Sequence, residues 1–197
     1  MSSPRIRLGT EHDAPALLAI YAPYVEHTAI TFECEMPSKE AFAAKVRSIA
    51  ATYPFLVCEE GSTICGYAYA SEHSPRKAYQ WGVETSIYID RNYHSRGIGS
   101  AFYRVLLPLL RDLGYYTAYA RITLPNEKSV RLHEVQGFTS VGVLHKTGYK
   151  LGAWHDVLYM EAFLAALPEN PAHPQKMNPA AQGITALLEK NSRLIRP

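Results

Sequence analysis

Apolar side chains recur along this chain with two different spacings, and the changes of spacing predict its elements. After a short β-like run at Arg5–Leu8, residues 14–25 place Leu17, Leu18, Tyr21, Tyr24 and Val25 on one face of a helix. Thr10, with Asp13 three positions on, is the start signal for that helix. The helical spacing repeats at Ala41, Phe42, Val46 and Ile49 behind Ser38, and Pro54 breaks it. The pattern then turns β-like: residues 55–59 and 63–71 form two strands across a Gly61-Ser62 turn, and residues 83–89 are rich in β-branched and aromatic side chains. An amphipathic helix over 100–113 carries Pro108 as a point of distortion. A strand at 117–122, a helix at 126–135 closed by Gly137-Phe138, and strands at 139–149 and 155–164 complete the series.

This order of elements predicts an α/β (α+β) layer with a mixed sheet over residues 1–166. Residues 167–197 differ. The stretch 167–179 carries four prolines and reads as a linker. Residues 180–194 can form an amphipathic helix, which either docks on the domain or on a partner, or frays.

Composition narrows the function class. Of 197 residues, 47% are hydrophobic and 19% charged, enough apolar content for a full core. A net charge of +2 without clustered Lys and Arg argues against nucleic-acid binding. Three cysteines (Cys34, Cys58 and Cys65), none in a CxxC pair, argue against a disulfide framework or a thiolate zinc site. His155-Asp156 is no better as a metal site, because neighbours on a strand face opposite ways. No apolar leader precedes Arg5, and no run approaches the ~20 apolar residues of a membrane span. The expected location is the cytoplasm.

The candidate chemistry lies in His94-Ser95-Arg96-Gly97-Ile98-Gly99-Ser100, between a strand and a helix. A helix N-terminus offers unpaired N–H groups and partial positive charge, and glycines let the backbone approach a bulky anion. The combination suits a pyrophosphate, although a tight turn without a ligand has the same composition. A Rossmann fingerprint would follow the first strand and carry a third glycine, and a P-loop would read GxxxxGK[ST]; neither is present.

The loop resembles the Q/R-x-x-G-x-G/A segment with which the GNAT N-acetyltransferases hold acetyl-CoA. Asn126-Glu127-Lys128-Ser129 and Leu132-His133-Glu134-Val135-Gln136-Gly137-Phe138 are similar to the next two segments of that superfamily, in order. Tyr53–Val57, Ala78–Trp81, Val83–Ser86, Ser129–His133 and Gly148–Val157 are similar to its phosphinothricin N-acetyltransferase branch. The resemblance implies a mostly antiparallel central sheet flanked by helices, with one strand pair splayed around acetyl-CoA, and a homodimer. His94 departs from the usual Gln or Arg, which argues against a strong side-chain contact at that position, while the backbone donors remain.

Acetylating an amine calls for a base, because aliphatic amines are mostly protonated at neutral pH. By resemblance the base is Glu84, acting directly or through a water, and Ile87, Tyr88 and Ile89 bind the pantetheine arm and thioester through backbone N–H groups. Asn126 is a good N-cap in any case, and with Ser129 it is implied in cofactor binding. His133 stands where many relatives carry a tyrosine that can protonate the leaving thiolate, which makes it a candidate acid; a lone helical histidine is more often structural. Arg76, Lys77 and Tyr79 are the candidates to hold an anionic acceptor, with Thr85 and Ser86 beside Glu84. Phe32, Tyr149 and Trp154 are the candidate apolar wall, though aromatic residues of this kind often serve only packing. The expected reaction transfers acetyl from acetyl-CoA, without a metal, to the α-amine of a small amino-acid analogue. The alternatives are another small amine or a protein N-terminus, or a non-catalytic acyl-CoA module, against which Glu84 argues.

Overall fold

The computed structural model describes residues 3–196. Seven strands form one sheet: β1 (Arg5–Leu8), β2 (Phe55–Glu60), β3 (Thr63–Glu72), β4 (Gly82–Ile89), β5 (Thr117–Thr123), β6 (Thr139–Lys150) and β7 (Ala153–Phe163). Their spatial order is β1-β2-β3-β4-β5-β7-β6. Every neighbouring pair is antiparallel except β4–β5, which is parallel.

Alternation within the strands fixes which helix lies on which face. On β2 and β3, Phe55, Val57, Tyr67 and Tyr69 pack with α1 (Ala14–His27) and α2 (Lys39–Ala50). Leu56, Cys58, Ala68 and Ala70 point the other way, toward α3 (Ile98–Asp112). Leu56, Val57, Cys58, Ala68 and Ala70 have no exposed surface, so the middle of the sheet is covered on both sides. α4 (Glu127–Val135) packs against β5 on the α3 face, through Val130 and Leu132.

Local signals are met with adjustments. Ser38 accepts the Ala41 N–H at 3.1 Å and caps α2 as its sequence predicts. Thr10 and Asp13 first close a single 3-10 turn, from which α1 then continues. α3 begins at Ile98, two residues earlier than its apolar spacing predicts, and runs as one helix past Pro108. β6 and β7 extend to within two residues of one another and form a long hairpin.

The C-terminal helix α5 (Ile184–Ser192) docks on β1 and α3. Ile184 and Ile195 are buried in the core, and the Ser192 hydroxyl accepts the Ile6 N–H at 2.8 Å. The proline-rich segment before it is also held: the Ala172 carbonyl accepts the Trp81 indole at 2.8 Å, and the Gln175 and Met177 N–H groups bond Leu113 and Thr52. No helix among the described residues is long and apolar enough to cross a membrane.

An ionic cluster ties β1 and β2 to the start of α1. Arg7 donates to Glu59 at 2.6 Å and to Asp13 at 2.7 and 2.9 Å, while Arg5 also bonds Glu59. Burial alone would push both carboxyls up, but the arginine contacts outweigh it and hold both below ordinary carboxylate values. In acid the unfolded chain therefore takes up protons first, and stability falls as pH drops through about 4 and below. Arg7→Met is expected to cost about 1–3 kcal/mol at neutral pH, by leaving charged acceptors unpaired. It should also flatten the acid-side fall. Urea midpoints measured between neutral and acidic pH check both.

Candidate active site

The parallel pairing of β4 with β5 covers only Gly82–Thr117, Val83–Ala118 and Glu84–Tyr119. Beyond Glu84 the two strands part, while β4 stays paired to β3 as far as Ile89. The edge of residues 85–89 facing β5 thus has backbone groups without a strand partner. It opens on a cavity of about 840 Å³ that also meets the start of α3, the end of β5 and α4.

The loop before α3 forms one end of this cavity. Ser95 and Gly97 both have positive φ, 65° and 87°, and Gly97 is the residue from which α3 starts. Gly97 adopts this conformation readily. Gly99 is needed for packing: a Cβ there would lie 2.9 Å from Leu132, so it sets how closely α3 and α4 approach. Asn126 caps α4 by accepting the Ser129 N–H at 3.2 Å.

Of the predicted cofactor residues, Ile87, Tyr88, Ile89, His94, Ser95, Gly97, Ile98, Gly99, Ser100, Asn126 and Ser129 line the cavity together, joined by Thr85, Ser86 and His133. Arg96 does not. Its guanidinium turns to Glu60 at 3.3 Å and lies 4.7 Å from the centre of the Tyr93 ring. The His94 ring is also occupied, with Nε2 3.0 Å from the Ile89 carbonyl, which the Tyr24 hydroxyl bonds as well at 2.5 Å.

Glu84 sits at the last paired position of β4, its side chain largely covered. Two partners that no sequence pattern announces surround it. Arg121, two positions past the register partner of Glu84 on β5, pairs with one carboxylate oxygen. His73 places Nδ1 3.4 Å from the other, outside hydrogen-bond geometry, and this buried nitrogen has no other partner. Burial disfavours the Arg121 charge, but Glu84 more than offsets this and keeps the guanidinium protonated. The His73 ring stacks on Tyr119 at 4.2 Å, and Tyr119 in turn fits only because Gly82 lacks a Cβ, which would lie 2.8 Å from its ring.

The acceptor candidates do not gather in the cavity. Arg76, Lys77 and Tyr79 lie on an exposed turn before β4, and the Tyr79 ring meets His73 edge-on at 5.9 Å. Phe32 packs over Gly148, where a Cβ would overlap its ring. Tyr149 and Trp154 contact each other at 5.3 Å across the β6–β7 hairpin and are exposed.

His133 is buried, and both its ring nitrogens are engaged. Nδ1 is 2.7 Å from the Ser129 carbonyl and so carries the proton; Nε2 then accepts from the Tyr103 hydroxyl at 2.7 Å. Thr85 bonds the same Tyr103 oxygen at 2.9 Å. Burial lowers the His133 imidazole below its ordinary value, against the pull of the Ser129 carbonyl. In this arrangement His133 is an acceptor at Nε2 and has no proton there to give. Among the described residues no group of three or more His, Cys, Asp or Glu side chains could hold a metal ion.

Residues 6–159 match the Acetyltransferase (GNAT) domain family. The chain is 35% identical over 177 residues to the phosphinothricin N-acetyltransferase of Streptomyces viridochromogenes, covering 90% of this chain and 94% of that protein. It is 29% identical over 158 residues to the L-methionine sulfoximine/L-methionine sulfone acetyltransferase of Salmonella typhimurium, covering 79% and 92%. Among solved structures it is similar to a phosphinothricin acetyltransferase of Sinorhizobium meliloti in complex with acetyl-CoA. There the TM-score is 0.82 and the identity 31%, over 86% of this chain and 94% of that one.

The buried relay makes a separate prediction. Tyr103→Phe keeps the ring but strands the His133 acceptor, and is expected to cost about 1–3 kcal/mol by chemical denaturation. Because the folded state resists protonating His133, stability should decline as pH falls below about 6.5. The same titration on His133→Gln should show a shallower decline.

Proposed function

The chain belongs to the GNAT acetyltransferase family and is an N-acetyltransferase, and from that premise we propose that it uses acetyl-CoA to acetylate the α-amine of a small anionic amino-acid analogue, of the phosphinothricin or methionine sulfoximine kind. The observation that carries this reading is the position of Glu84, at the point where β4 leaves β5 and the cavity begins. Acetyl-CoA, when bound, supplies the activated acetyl group as a thioester.

Each step then falls to a group of this chain. The N–H groups at residues 97–100 receive the pyrophosphate at the start of α3. The unpaired edge of Thr85–Ile89 binds the pantetheine arm, and its N–H groups stabilise negative charge developing on the thioester oxygen. Glu84 takes a proton from the amine, directly or through a water, as the N–C bond forms and the C–S bond breaks, and the departing thiolate takes up that proton or one from solvent, since His133 Nε2 has none to give. Arg121 holds that carboxylate in one orientation, and His73, 3.4 Å from its second oxygen, is placed to share the proton. Arg76, Lys77 and Tyr79, on the exposed turn before β4, are the groups proposed to hold the acceptor's anionic group, and Phe32, Tyr149 and Trp154, outside the cavity at the β6–β7 hairpin, those proposed to meet its side chain. His133 serves through its bonds to Tyr103 and Ser129, which keep α4 and α3 in register around the cofactor.

Glu84→Gln keeps the size and hydrogen bonding of the side chain but removes the base. Turnover, followed as free thiol release, is expected to fall roughly 10²-fold or more, with acetyl-CoA binding retained in calorimetry. Unchanged turnover would remove Glu84 from the mechanism. In the wild-type protein, a panel of amino-acid analogues should give its highest kcat/KM with the phosphinate or the sulfoximine. If other amines are acetylated and these two are not, the acceptor assignment fails while acetyl transfer stands.

A further inference from the structure

The cofactor loop has an unusual balance of charge. Its first side chain, His94, is bonded to the Ile89 carbonyl, and its one cation, Arg96, is turned onto Glu60 and Tyr93, outside the cavity. The backbone donors at the start of α3 thus face the cavity with no side-chain cation from the loop itself. Arg121 also lines the cavity, but it is committed to Glu84. Lys128 and Arg131 are on α4.

A cation reaches the loop from the other end of the chain. After α5 the backbone runs alongside residues 95–97: the Arg196 N–H donates to the Arg96 carbonyl at 2.9 Å, and the Leu194 carbonyl lies 3.4 Å from where a Gly97 Cβ would be. The Arg196 guanidinium donates to the Ser95 carbonyl at 3.2 Å and lines the same cavity. One of its five N–H donors is used there, leaving others for an anion. The segment has little freedom to swing away, because Ile195 is buried beside it and Ser192 is bonded to β1.

We propose that Arg196 is a cofactor-binding residue: the docked C-terminal segment brings its guanidinium to the pyrophosphate of acetyl-CoA and supplies the side-chain charge that the loop lacks. The assignment rests on acetyl-CoA being the co-substrate. Arginine suits the task because its planar fork matches phosphate oxygens and stays charged at any working pH. The contact also explains why a long, proline-rich stretch is stapled across Trp81, Leu113 and Thr52 before α5. That path delivers residue 196 to the loop across the sheet from β7.

Arg196→Gln removes the guanidinium and keeps the backbone bond to Arg96. Calorimetric titration of the full chain with coenzyme A is expected to show binding weakened about tenfold or more, as for a lost charge-assisted hydrogen bond, with the difference shrinking at high salt. Arg196→Lys should recover part of it. The loss should be equal for coenzyme A and its 3′-dephospho form, and the melting temperature without ligand should not change. In steady state the KM for acetyl-CoA rises while kcat and the KM for the amine hold. Coenzyme A binding within about twofold of wild type would overturn the inference. A loss confined to the 3′-phosphorylated ligand would overturn the pyrophosphate contact. If wild-type protein itself does not bind coenzyme A, the acetyl-transfer reading fails instead.

Discussion

The opening between β4 and β5 is a break in a hydrogen-bond ladder, and such a break needs a cause. Parallel pairing stops after three residue pairs, although both strands continue for several more. At the point of parting, the Thr85 hydroxyl lies 2.9 Å from Tyr103 on α3 and 3.2 Å from the Tyr119 carbonyl on β5. With Tyr103 donating to His133, the one Thr85 proton is shared between those two oxygens. A side chain thus occupies the seam where further strand pairing would have to begin. Tyr103, fully buried, links that seam to His133 on α4. The helices therefore hold the strands apart with polar contacts. A buried network of this kind is stable only when each member is satisfied, and here each is.

Glu84 inherits its environment from the same break. As the last paired residue it is held by the sheet, one position before Thr85, the first cavity-lining residue of β4. Arg121 on the departing strand pairs with one of its oxygens and fixes its direction. On the other side the His73 ring stacks on Tyr119 and places its buried Nδ1 3.4 Å from the second oxygen. The carboxylate thus lies between an arginine from one strand and an imidazole from beyond the end of another.

Much of this was legible in sequence, and the parts that were not share a physical reason. Gly97 and Gly99 mark the cofactor loop because a left-handed backbone and a close helix approach both require glycine, a local demand that leaves a local trace. The strands and helices follow from apolar spacing, with boundaries off by a few residues. Arg121 and His73 leave no such trace, since an arginine on one strand and a histidine past the end of another meet Glu84 only once the sheet is assembled. The Tyr103–His133 bond is also invisible, because a tyrosine in an apolar helical stripe reads as core. The spacing of residues 180–194 allows an amphipathic helix, docked or frayed, but names no partner. Only the assembled fold sets it on β1 and α3.

The two halves of the site differ in how they are built, and this bears on what each can change. On the proposed reading the cofactor half uses main-chain groups, an N-cap, two glycines and a strand edge, so most substitutions of its side chains leave the donors in place; His94 standing where Gln or Arg is usual is one such change. The residues proposed for the acceptor, Arg76, Lys77, Tyr79, Tyr149 and Trp154, are exposed side chains on a turn and a hairpin. A change there costs little stability and alters which amine fits. On that reading recognition of acetyl-CoA is tied to the fold, and recognition of the amine to residues the fold leaves free to vary. An unusual cofactor loop can then be compensated only from elsewhere in the fold, and the segment ending in Arg196 is docked where that compensation is needed.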